Sequence, residues 1–426
     1  QAKHRALPST PRWCRRRVHA CSTTTKPVEI VLAGGSIGGL TLAAALVQRL
    51  GAKVTVLEKD RLEGARPGTP QAPHLHVLKP AGVEALENLL PGIKSELLDR
   101  GAHRATFPDA FALNVGGTWG HPPSTGGSTE TLLLTRALLE AAVRARVASI
   151  DAVQVRDGRS VLGLKGSGGA VAAVRHRAVG VGPGREVEES RASLVIDCTG
   201  RGSRFPKWME AIGGSPPEQE SFDIRCLEAT ALVRPRREFT RERSPGITKV
   251  ECGVGLNEPR RYAMMMSVED GLWQVCLSGW GGERPPLDWA TDWRTFAASL
   301  PDGVVADALH GSELVRAPVL AAATANVRWR WDALERSPAG FVAFGDAACA
   351  PNPMWGQGVT MAAVEALALA EALAGEAEAL ERARAGLLPL EADACAAAQR
   401  AVARAAQPFW DVAVGGDGAR LDAASL

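Results

Sequence analysis

The stretch Val28–Glu58, VEIVLAGGSIGGLTLAAALVQRLGAKVTVLE, decides the fold class of this chain. Val28–Ala33 is apolar and partly β-branched, which predicts a buried strand. The residues after the glycines have helical apolar spacing up to Leu50, and Gly51 is suited to ending that helix. Lys53–Glu58 predicts a second strand. The whole stretch has the length of one βαβ unit, and the right-handed crossover rule makes its two strands parallel.

The turn inside this unit is a G-x-S-x-x-G variant of the dinucleotide-binding fingerprint, formed by Gly34, Ser36 and Gly39. Glycine lets the backbone approach a pyrophosphate, and the following helix N-terminus offers N–H groups and a positive dipole to the phosphates. Glu58 ends the second strand, where a carboxylate can accept hydrogen bonds from ribose hydroxyls. This acid disfavours a 2′-phosphate, so the site suits FAD or NAD better than NADP.

A second motif lies late in the chain, at Gly340–Ala374, GFVAFGDAACAPNPMWGQGVTMAAVEALALAEALA. Asp346 follows a predicted buried strand, where its carboxylate can bind a polyol hydroxyl. Gly356-Gln357-Gly358 then opens a long helix, predicted from about Gly358 to Ala374. The N-terminus of that helix can stabilise the negative charge of a reduced flavin without a cationic side chain.

The 426 residues are 46% hydrophobic and 23% charged, which is ordinary globular composition. The net charge of +2 is unevenly distributed along the chain. Residues 1–28 contain seven Lys or Arg and no acid, so the rest of the chain has 42 basic and 47 acidic residues. That mildly acidic remainder argues against nucleic acid as a partner. The basic, Ser/Thr-rich opening predicts that residues 1–27 are a transit peptide, preferably for the chloroplast, or otherwise a disordered tail of a cytoplasmic protein.

Eight scattered cysteines form no C-x-x-C pair and no Cys/His cluster, so we expect no metal site. The longest apolar stretches are too short or too charged to span a bilayer, and at most peripheral membrane contact is expected. We further predict a helix over Thr131–Val147, a three-strand meander starting at Val153, and an antiparallel sheet within Phe222–Trp280.

Three segments in this order carry a resemblance to a known family. They are the glycine turn, the DCTGRGS segment at Asp197–Ser203, and the Gly345-Asp346 segment with its following prolines and glycines. Together they resemble the class A FAD-dependent monooxygenases with the para-hydroxybenzoate hydroxylase fold. RPGTPQAPHLHVL, at Arg66–Leu78, is similar to a branch that contains polyether-type olefin epoxidases and related FAD-dependent oxidoreductases. The similarity covers about residues 28 to 400.

The resemblance implies an α/β fold: a Rossmann-like FAD-binding domain with a parallel sheet, plus an inserted antiparallel-sheet substrate domain. The expected division is an FAD-binding domain in three parts, a substrate domain with an early excursion, and a tail. The FAD-binding parts are 28–105, 131–205 and 329–400, the substrate domain is 206–328 with the excursion 106–130, and the tail is 401–426.

The resemblance also implies which residues bind FAD. Those in the two helix openings and at the strand ends are Gly34, Ser36, Gly38, Gly39, Glu58, Asp346, Pro353, Gly356, Gln357 and Gly358. Arg136 matches an arginine that the family places against FAD, and Asp197 and Arg201 are expected beside it. Cys198-Thr199 separates Asp197 from Gly200, where many hydroxylases have Asp-Gly adjacent, so the docking of NAD(P)H is left open. Arg66 and Gln71 are expected as polar contacts near the flavin. The sequence identifies no catalytic side chain.

The function implied is a monooxygenase that uses NAD(P)H and O2, through a flavin hydroperoxide, to hydroxylate or epoxidise an apolar small molecule. A flavin-dependent reductase or dehydrogenase of an isoprenoid-type double bond is an alternative, since D-x-x-G-R is similar to geranylgeranyl reductases. A non-catalytic FAD-binding scaffold is another. The Trp329-Arg330-Trp331 motif resembles that of flavin-dependent halogenases, but Asp332-Ala333-Leu334 departs from their pattern.

Some residues keep two interpretations at this stage. His74 and His76 are either structural or close to the flavin, with no third residue nearby to complete a metal site. Met264–Met266, Trp273 and Trp280 lie on predicted strands. The simpler interpretation is that these side chains belong to the core of the sheet. The alternative is that they form an apolar wall for a lipophilic substrate.

Overall fold

A computed structural model describes most of the chain, namely residues 26–62, 68–121, 130–180, 186–235, 246–252, 258–322, 324–386 and 388–423. Its strands are β1 Glu29–Ala33, β2 Lys53–Leu57, β3 His103–Thr106, β4 Phe111–Val115, β5 Thr118–Gly120, β6 Glu130–Leu133, β7 Val153–Arg156, β8 Arg159–Ser167, β9 Ala170–Ala178, β10 Glu188–Arg191, β11 Leu194–Asp197, β12 Gln219–Phe222, β13 Leu227–Arg234, β14 Ile247–Glu251, β15 Arg261–Ser267, β16 Trp273–Gly279, β17 Glu313–Ala321, β18 Asn326–Trp329, β19 Phe341–Ala343 and β20 Cys349–Ala350. Its α-helices are α1 Ile37–Leu50, α2 Pro80–Leu89, α3 Ile93–Asp99, α4 Arg136–Ala148, α5 Phe205–Ala211, α6 Asp292–Ala298, α7 Val304–Leu309, α8 Gly358–Ala374, α9 Ala377–Gly386 and α10 Ala392–Ala423.

The first sheet has five strands in the order β19-β11-β1-β2-β7, and every neighbouring pair is parallel. The predicted βαβ unit is therefore confirmed, with β1 and β2 paired from Glu29–Lys53 to Ala33–Leu57. Helices α1 and α8 pack against each other in the core that covers this sheet. Each fully buried leucine there contributes roughly 1.5–3 kcal/mol, which is why the unit forms around an apolar helix.

The second large sheet has seven strands, in the order β17-β13-β16-β15-β14-β4-β5. Its pairs are antiparallel, as predicted, except that β14 runs parallel to β4. One face packs on α6 and α7 through residues such as Met265 and Trp293. The opposite face, which we call the inner face, places Met264 and Met266 against Val77 and Leu133.

Two local predictions were wrong. The expected helix at Thr131–Val147 begins only at Arg136, because residues 130–133 pair with β3 and Thr135 Oγ1 caps the helix by accepting a hydrogen bond from Leu138 N. The expected meander starts one strand later. β7 joins the parallel sheet beside β2, and the three-stranded sheet is instead β10-β9-β8. A turn with left-handed backbone at Gly158 separates β7 from β8 and allows this change of sheet.

Residues 401–423, which the sequence assigned to a C-terminal tail, form most of the 32-residue helix α10. The buried residues of this part recur at helical intervals: Val402, Ala406, Trp410, Ala413 and Asp417. This face packs on α8 and on the strands β18–β20. The proposed boundaries between domains stay a prediction.

Within the described ranges, no single helix has the length and apolar composition needed to cross a membrane. Helices α8 and α9 meet that test only when taken together, and they are bent by 80° relative to each other.

Candidate functional site

The residues Gly34–Gly39, here called the early turn, join β1 to α1. Gly34 has a φ of +118°, and its N–H donates to Leu57 O at 2.8 Å. A Cβ on Gly34 would lie 2.3 Å from Cys198 O, and one on Gly39 would lie 2.1 Å from Gly34 O. Only glycine fits at these two positions, so the start of α1 lies directly against the ends of the parallel strands.

Ser36 is the N-cap of α1, but its side chain makes no capping hydrogen bond, and the first turn of the helix contains no acid. The first N–H groups of this helix therefore have no side-chain cap from their own turn. Such a helix start attracts anions such as phosphates. The early turn thus has the backbone features that a pyrophosphate site requires.

Arg136, at the start of α4, lies against the early turn. Its Nη2 donates to Ser36 Oγ at 2.8 Å, and its Nη1 lies 3.2 Å from His76 Nε2. His76 Nδ1 in turn lies 2.8 Å from His74 O, a position that assigns the ring proton to Nδ1. Burial first, and then the charge of Arg136, lower the pKa of His76 to about 3. Neutral His76 therefore accepts from Arg136 and fixes its guanidinium.

Glu58 lies just beyond the carboxyl end of β2 and is buried. Its Oε2 accepts from Gly35 N at 2.7 Å, and its Oε1 accepts from Asp60 N at 2.8 Å. The carboxylate therefore holds the early turn in shape. The proposed contact of Glu58 with ribose hydroxyls stays a prediction.

Asp197 ends β11 beside the early turn and is fully buried. Its oxygens accept from Thr199 N at 2.9 Å, Thr199 Oγ1 at 2.6 Å and Ser203 Oγ. Burial raises the pKa of Asp197 to about 6, although these hydrogen bonds act to lower it. Its described contacts hold its own turn together, and that turn carries Arg201.

Arg201 connects this turn to the late part of the site. It donates to Ala325 O at 2.6 Å and to Pro351 O, and its Nε lies 3.9 Å from Asp346 Oδ2. Asp346 also lies near the start of α8, since a Cβ on Gly358 would be 3.8 Å from its Oδ1. The structure thus brings together Asp197, Arg201, Asp346 and Gly358, which the sequence singled out separately.

The residues Asn352–Gln357, here called the late loop, precede α8. Asn352 Oδ1 accepts from Met354 N at 3.1 Å, which caps the short turn that starts at Pro353. Gly356 adopts left-handed backbone and lies beside Val77. Gln357 is the N-cap of α8 and is only 3% exposed, yet none of the described residues is a hydrogen-bond partner of its Nε2. A buried, unpartnered amide donor is one that an acceptor on a bound group can satisfy.

A buried acid lies behind the late part of the site. Glu365, on α8, accepts from Gly345 N at 3.0 Å through its Oε2 and is fully buried. Burial, together with the nearby Asp346, raises the pKa of Glu365 well above its ordinary range. Through its hydrogen bond with Gly345 N, Glu365 supports the turn that presents Asp346.

The early turn and the start of α8 are neighbours in space. A Cβ on Gly38 would lie 3.4 Å from the Phe344 ring and 3.5 Å from Ala362 Cβ, one turn into α8. The two helix starts, Arg136, Asp346 and the free amide of Gln357 therefore form one continuous site. Its donors suit phosphates and a flavin edge, and its carboxylate suits ribitol hydroxyls, so the residues present fit FAD. The site defines a dinucleotide-binding α/β protein of the FAD type.

The structure adds little about Gln71 and Arg66, which the sequence placed near the flavin. Gln71 is half-buried, and its carbonyl accepts from His74 N at 3.1 Å within a turn. The structure gives no side-chain contact that joins Gln71 to the residues above. Arg66 lies outside the described residues. Trp331 is 2% exposed and its ring centroid is 4.9 Å from that of Phe341, so this half of the W-x-W motif belongs to the core.

Sequence analysis missed the residues of α10 that hold the late loop. Asp417 is fully buried and accepts from Trp355 Nε1 at 2.9 Å, from Asn352 Nδ2 at 2.9 Å and from Asn326 Nδ2 at 2.7 Å. Arg420 stacks over the Trp355 ring and forms a bidentate ion pair with Glu251 of β14. The Gly-Gly-Asp-Gly sequence at 415–418 was the available signal, because small residues around an acid on a helix allow close packing.

Comparisons with known proteins identify the family and relatives of this chain. A family model described as "FAD binding domain" matches residues 27–405. Protein Rv3254 of Mycobacterium tuberculosis (strain ATCC 25618 / H37Rv) is 31% identical over 398 residues, which are 91% of this chain and 79% of that protein.

Solved structures share the fold at low sequence identity. P. aeruginosa PqsL in complex with 2-aminobenzoylacetate has a TM-score of 0.66 at 18% identity, covering 93% of this chain and 98% of that chain. The tetrameric form of 2-methyl-3-hydroxypyridine-5-carboxylic acid oxygenase has a TM-score of 0.66 at 16% identity, covering 94% and 93%. The flavin-dependent brominase Bmp2 has a TM-score of 0.65 at 13% identity, covering 92% and 89%.

The chain therefore belongs to the FAD binding domain family. It is an FAD-dependent oxidoreductase with the fold of the class A flavoprotein monooxygenases.

Proposed function

We propose that the protein is an FAD-dependent monooxygenase that uses NAD(P)H and O2 to hydroxylate or epoxidise an apolar small molecule. In the hydroxylation, one oxygen atom enters the substrate C–H bond, the other leaves as water, and NAD(P)H supplies the two electrons. The family and the fold support the flavin chemistry. The substrate and the pyridine nucleotide are part of the proposal.

The observation that carries the proposal is how the cofactor site adjoins the second sheet. The segment His74–Val77 lies between them: His76 contacts Arg136 beside the early turn, and Val77 lies against Gly356 of the late loop. On its other side, His74 Nδ1 lies 3.0 Å from Thr230 Oγ1 of β13. A molecule bound at the inner face of that sheet would therefore be close to the flavin edge.

When bound, FAD supplies the redox chemistry, taking up electrons from the nucleotide and activating O2. The side chains of this protein position and shield it. Arg136, fixed by neutral His76, offers a cation to phosphates. Gln357 and the N-terminus of α8 offer donors to a negatively charged flavin edge. Met264 and Met266 pack with Val77 in the core behind the late loop, and this apolar packing would keep water away from the flavin edge.

The test is to purify the protein with its flavin, record the visible spectrum, and follow oxidation of NADH and NADPH separately, with and without O2. A monooxygenase will show a flavin spectrum, oxygen-dependent turnover with an acceptor substrate, and incorporation of one labelled oxygen atom from O2 into the product. Matched assays with Arg136→Gln should show weaker FAD binding. Arg175→Gln, an exposed arginine on β9, is the control.

Other outcomes point to the alternatives. Turnover of an alkene with NAD(P)H in the absence of O2, with no label in the product, would make the protein a reductase or dehydrogenase. Bound flavin that no pyridine nucleotide bleaches would make it a non-catalytic scaffold. A preparation that binds no flavin would contradict the proposal altogether. A chloroplast-type location stays a prediction, because residues 1–25 lie outside the described residues.

A further inference from the structure

Two side chains of the inner face, Gln274 and Arg316, donate to backbone carbonyls of the segment Pro73–His74. Gln274 Nε2 donates to Pro73 O at 3.2 Å and to His74 O at 3.1 Å, and Arg316 Nη2 donates to the same Pro73 O at 2.5 Å. Thr230 binds the His74 ring from the strand between them. The registers of β16, β13 and β17 place Gln274 and Arg316 on either side of Leu232, so the two side chains share a face.

The side chains of His74, Gln274 and Arg316 each have a buried polar atom that lacks a hydrogen-bond partner in the described part of the chain, namely His74 Nε2, Gln274 Oε1 and Arg316 Nε. His74 is 5% exposed and Gln274 is 1% exposed. The orientation of the Gln274 amide is fixed, because both carbonyls it contacts require its NH2 group. Its oxygen is therefore the atom left unpaired. Buried polar groups are usually paired, so three unpaired polar atoms in one cluster need an explanation.

Arg316 adds a charge to this cluster. Within the described ranges, no carboxylate forms an ion pair with it, and burial lowers its pKa. His74 brings no compensating negative charge, since burial and the Arg316 charge lower the pKa of His74 to about 4 and keep it neutral. A half-buried guanidinium without a counter-charge is costly to desolvate, and an anionic partner would offset that cost.

We propose that Arg316, His74 and Gln274 bind a carboxylate on the substrate, which makes the substrate class an apolar small molecule with one acidic end. This inference rests on the proposed function and deepens it. The carboxylate accepts from the Arg316 guanidinium and from His74 Nε2–H, while Thr230 donates to His74 Nδ1. Gln274 Oε1 then accepts from a hydroxyl or amino group beside the carboxylate.

The position of this cluster relative to the flavin follows from the same segment. His74 is three residues before Val77, which lies against the late loop. The extended chain covers at most about 3.5 Å per residue. The acid group would therefore be held no more than roughly 10 Å from the late loop, measured along the backbone, and the apolar part of the substrate would extend toward that loop.

The test is calorimetric titration of the flavin-loaded protein with three carboxylates, benzoate, phenylacetate and octanoate, and with the corresponding alcohols. We expect at least one carboxylate to bind ten times more tightly than its alcohol. Arg316→Gln should remove at least tenfold of that affinity and Arg316→Lys should restore part of it, while the FAD dissociation constant stays unchanged. Arg234→Gln, an exposed arginine on the neighbouring strand, is the matched control.

The results separate this inference from the proposed function. Equal affinity for carboxylates and alcohols, no binding of any of the three carboxylates, or unchanged binding by a folded, flavin-replete Arg316→Gln protein would overturn the carboxylate site. None of these results would affect oxygen-dependent NAD(P)H oxidation, which tests the function by itself. If Arg316→Gln does not fold, the comparison of carboxylate and alcohol on the unmodified protein still decides the question.

Discussion

The early turn and the late loop form opposite parts of one cofactor site, but they are held in different ways. The backbone of the early turn is hydrogen-bonded to nearby chain: Gly35 N donates to Glu58 and Gly34 N donates to Leu57 O, each 23 residues away. The late loop is fixed by distant chain, because Asp417 binds Trp355 and Asn352 from 62 and 65 residues away. Contacts between residues that are close in the sequence can be predicted from the sequence, whereas contacts between distant residues become visible only in the fold.

The largest effect is expected from Gly34→Ala, which adds a side chain inside the early turn. The new Cβ would lie 2.3 Å from Cys198 O at a residue whose φ is +118°, so backbone strain and a steric clash add. We expect the free energy of unfolding to fall by about 4 kcal/mol or more, and purified protein to lack flavin. Urea denaturation and the visible spectrum measure the two effects.

Gly120→Ala is the control for that substitution, because a Cβ there meets no atom within 4 Å and the backbone is ordinary. It should unfold at nearly the same urea concentration as the original protein. If Gly34→Ala behaves like Gly120→Ala and keeps its flavin, the early turn is not the tight backbone approach described above.

Asp417→Ala is the corresponding substitution for the late loop, because it removes the acid that binds Trp355 and Asn352. It leaves the Trp355 indole and the amides of Asn352 and Asn326 without their acceptor in a fully buried place. We expect a loss of about 3 to 4 kcal/mol in the free energy of unfolding. The FAD dissociation constant, followed by flavin fluorescence, should rise as the loop loosens.

Asp411→Ala removes an acid from an exposed position of the same helix and should change neither quantity by more than about 0.5 kcal/mol. A fall in the free energy of unfolding for Asp417→Ala without any change in FAD affinity would mean that α10 supports the fold but does not position the late loop.

Sequence patterns were enough for the parts of the fold with strong local periodicity. Val28–Glu58 and Gly358–Ala374 contain their own apolar faces, so the parallel unit and α8 could be predicted closely. The sequence could not assign β7 to the parallel sheet, because its partner β2 lies about a hundred residues earlier and strand pairing leaves no local mark. Asp417 was missed because its partners come from two other elements, and alanine and glycine give α10 only a weak apolar pattern.

A pH experiment tests the early side of the site through Asp197. Its pKa is raised by burial from 3.8 to about 6, so the folded protein binds more protons than the unfolded chain between these values. Stability must therefore fall as pH rises through this window, by roughly 1.4 kcal/mol per unit of pKa difference, or about 3 kcal/mol in all.

Asp197→Asn removes that titration. We expect its free energy of unfolding, measured at pH 4, 5, 6 and 7, to decline less steeply with pH than that of the original protein, with the slopes agreeing above about pH 7. Parallel curves through the whole range would show that Asp197 is not a buried titrating acid.

The finest test uses neighbouring glycines of α10, which differ only in what lies opposite them. A Cβ on Gly416 would lie 2.1 Å from the Trp355 ring, whereas one on Gly415 meets no atom within 4 Å. Gly416→Ala should therefore lower the free energy of unfolding by about 2 kcal/mol through overpacking. Gly415→Ala should raise it by up to about 1 kcal/mol, because alanine favours the helix.

Weaker FAD binding in Gly416→Ala alone would show that the late loop depends on how closely α10 approaches Trp355. Equal behaviour of the two variants would remove α10 from the account of the cofactor site.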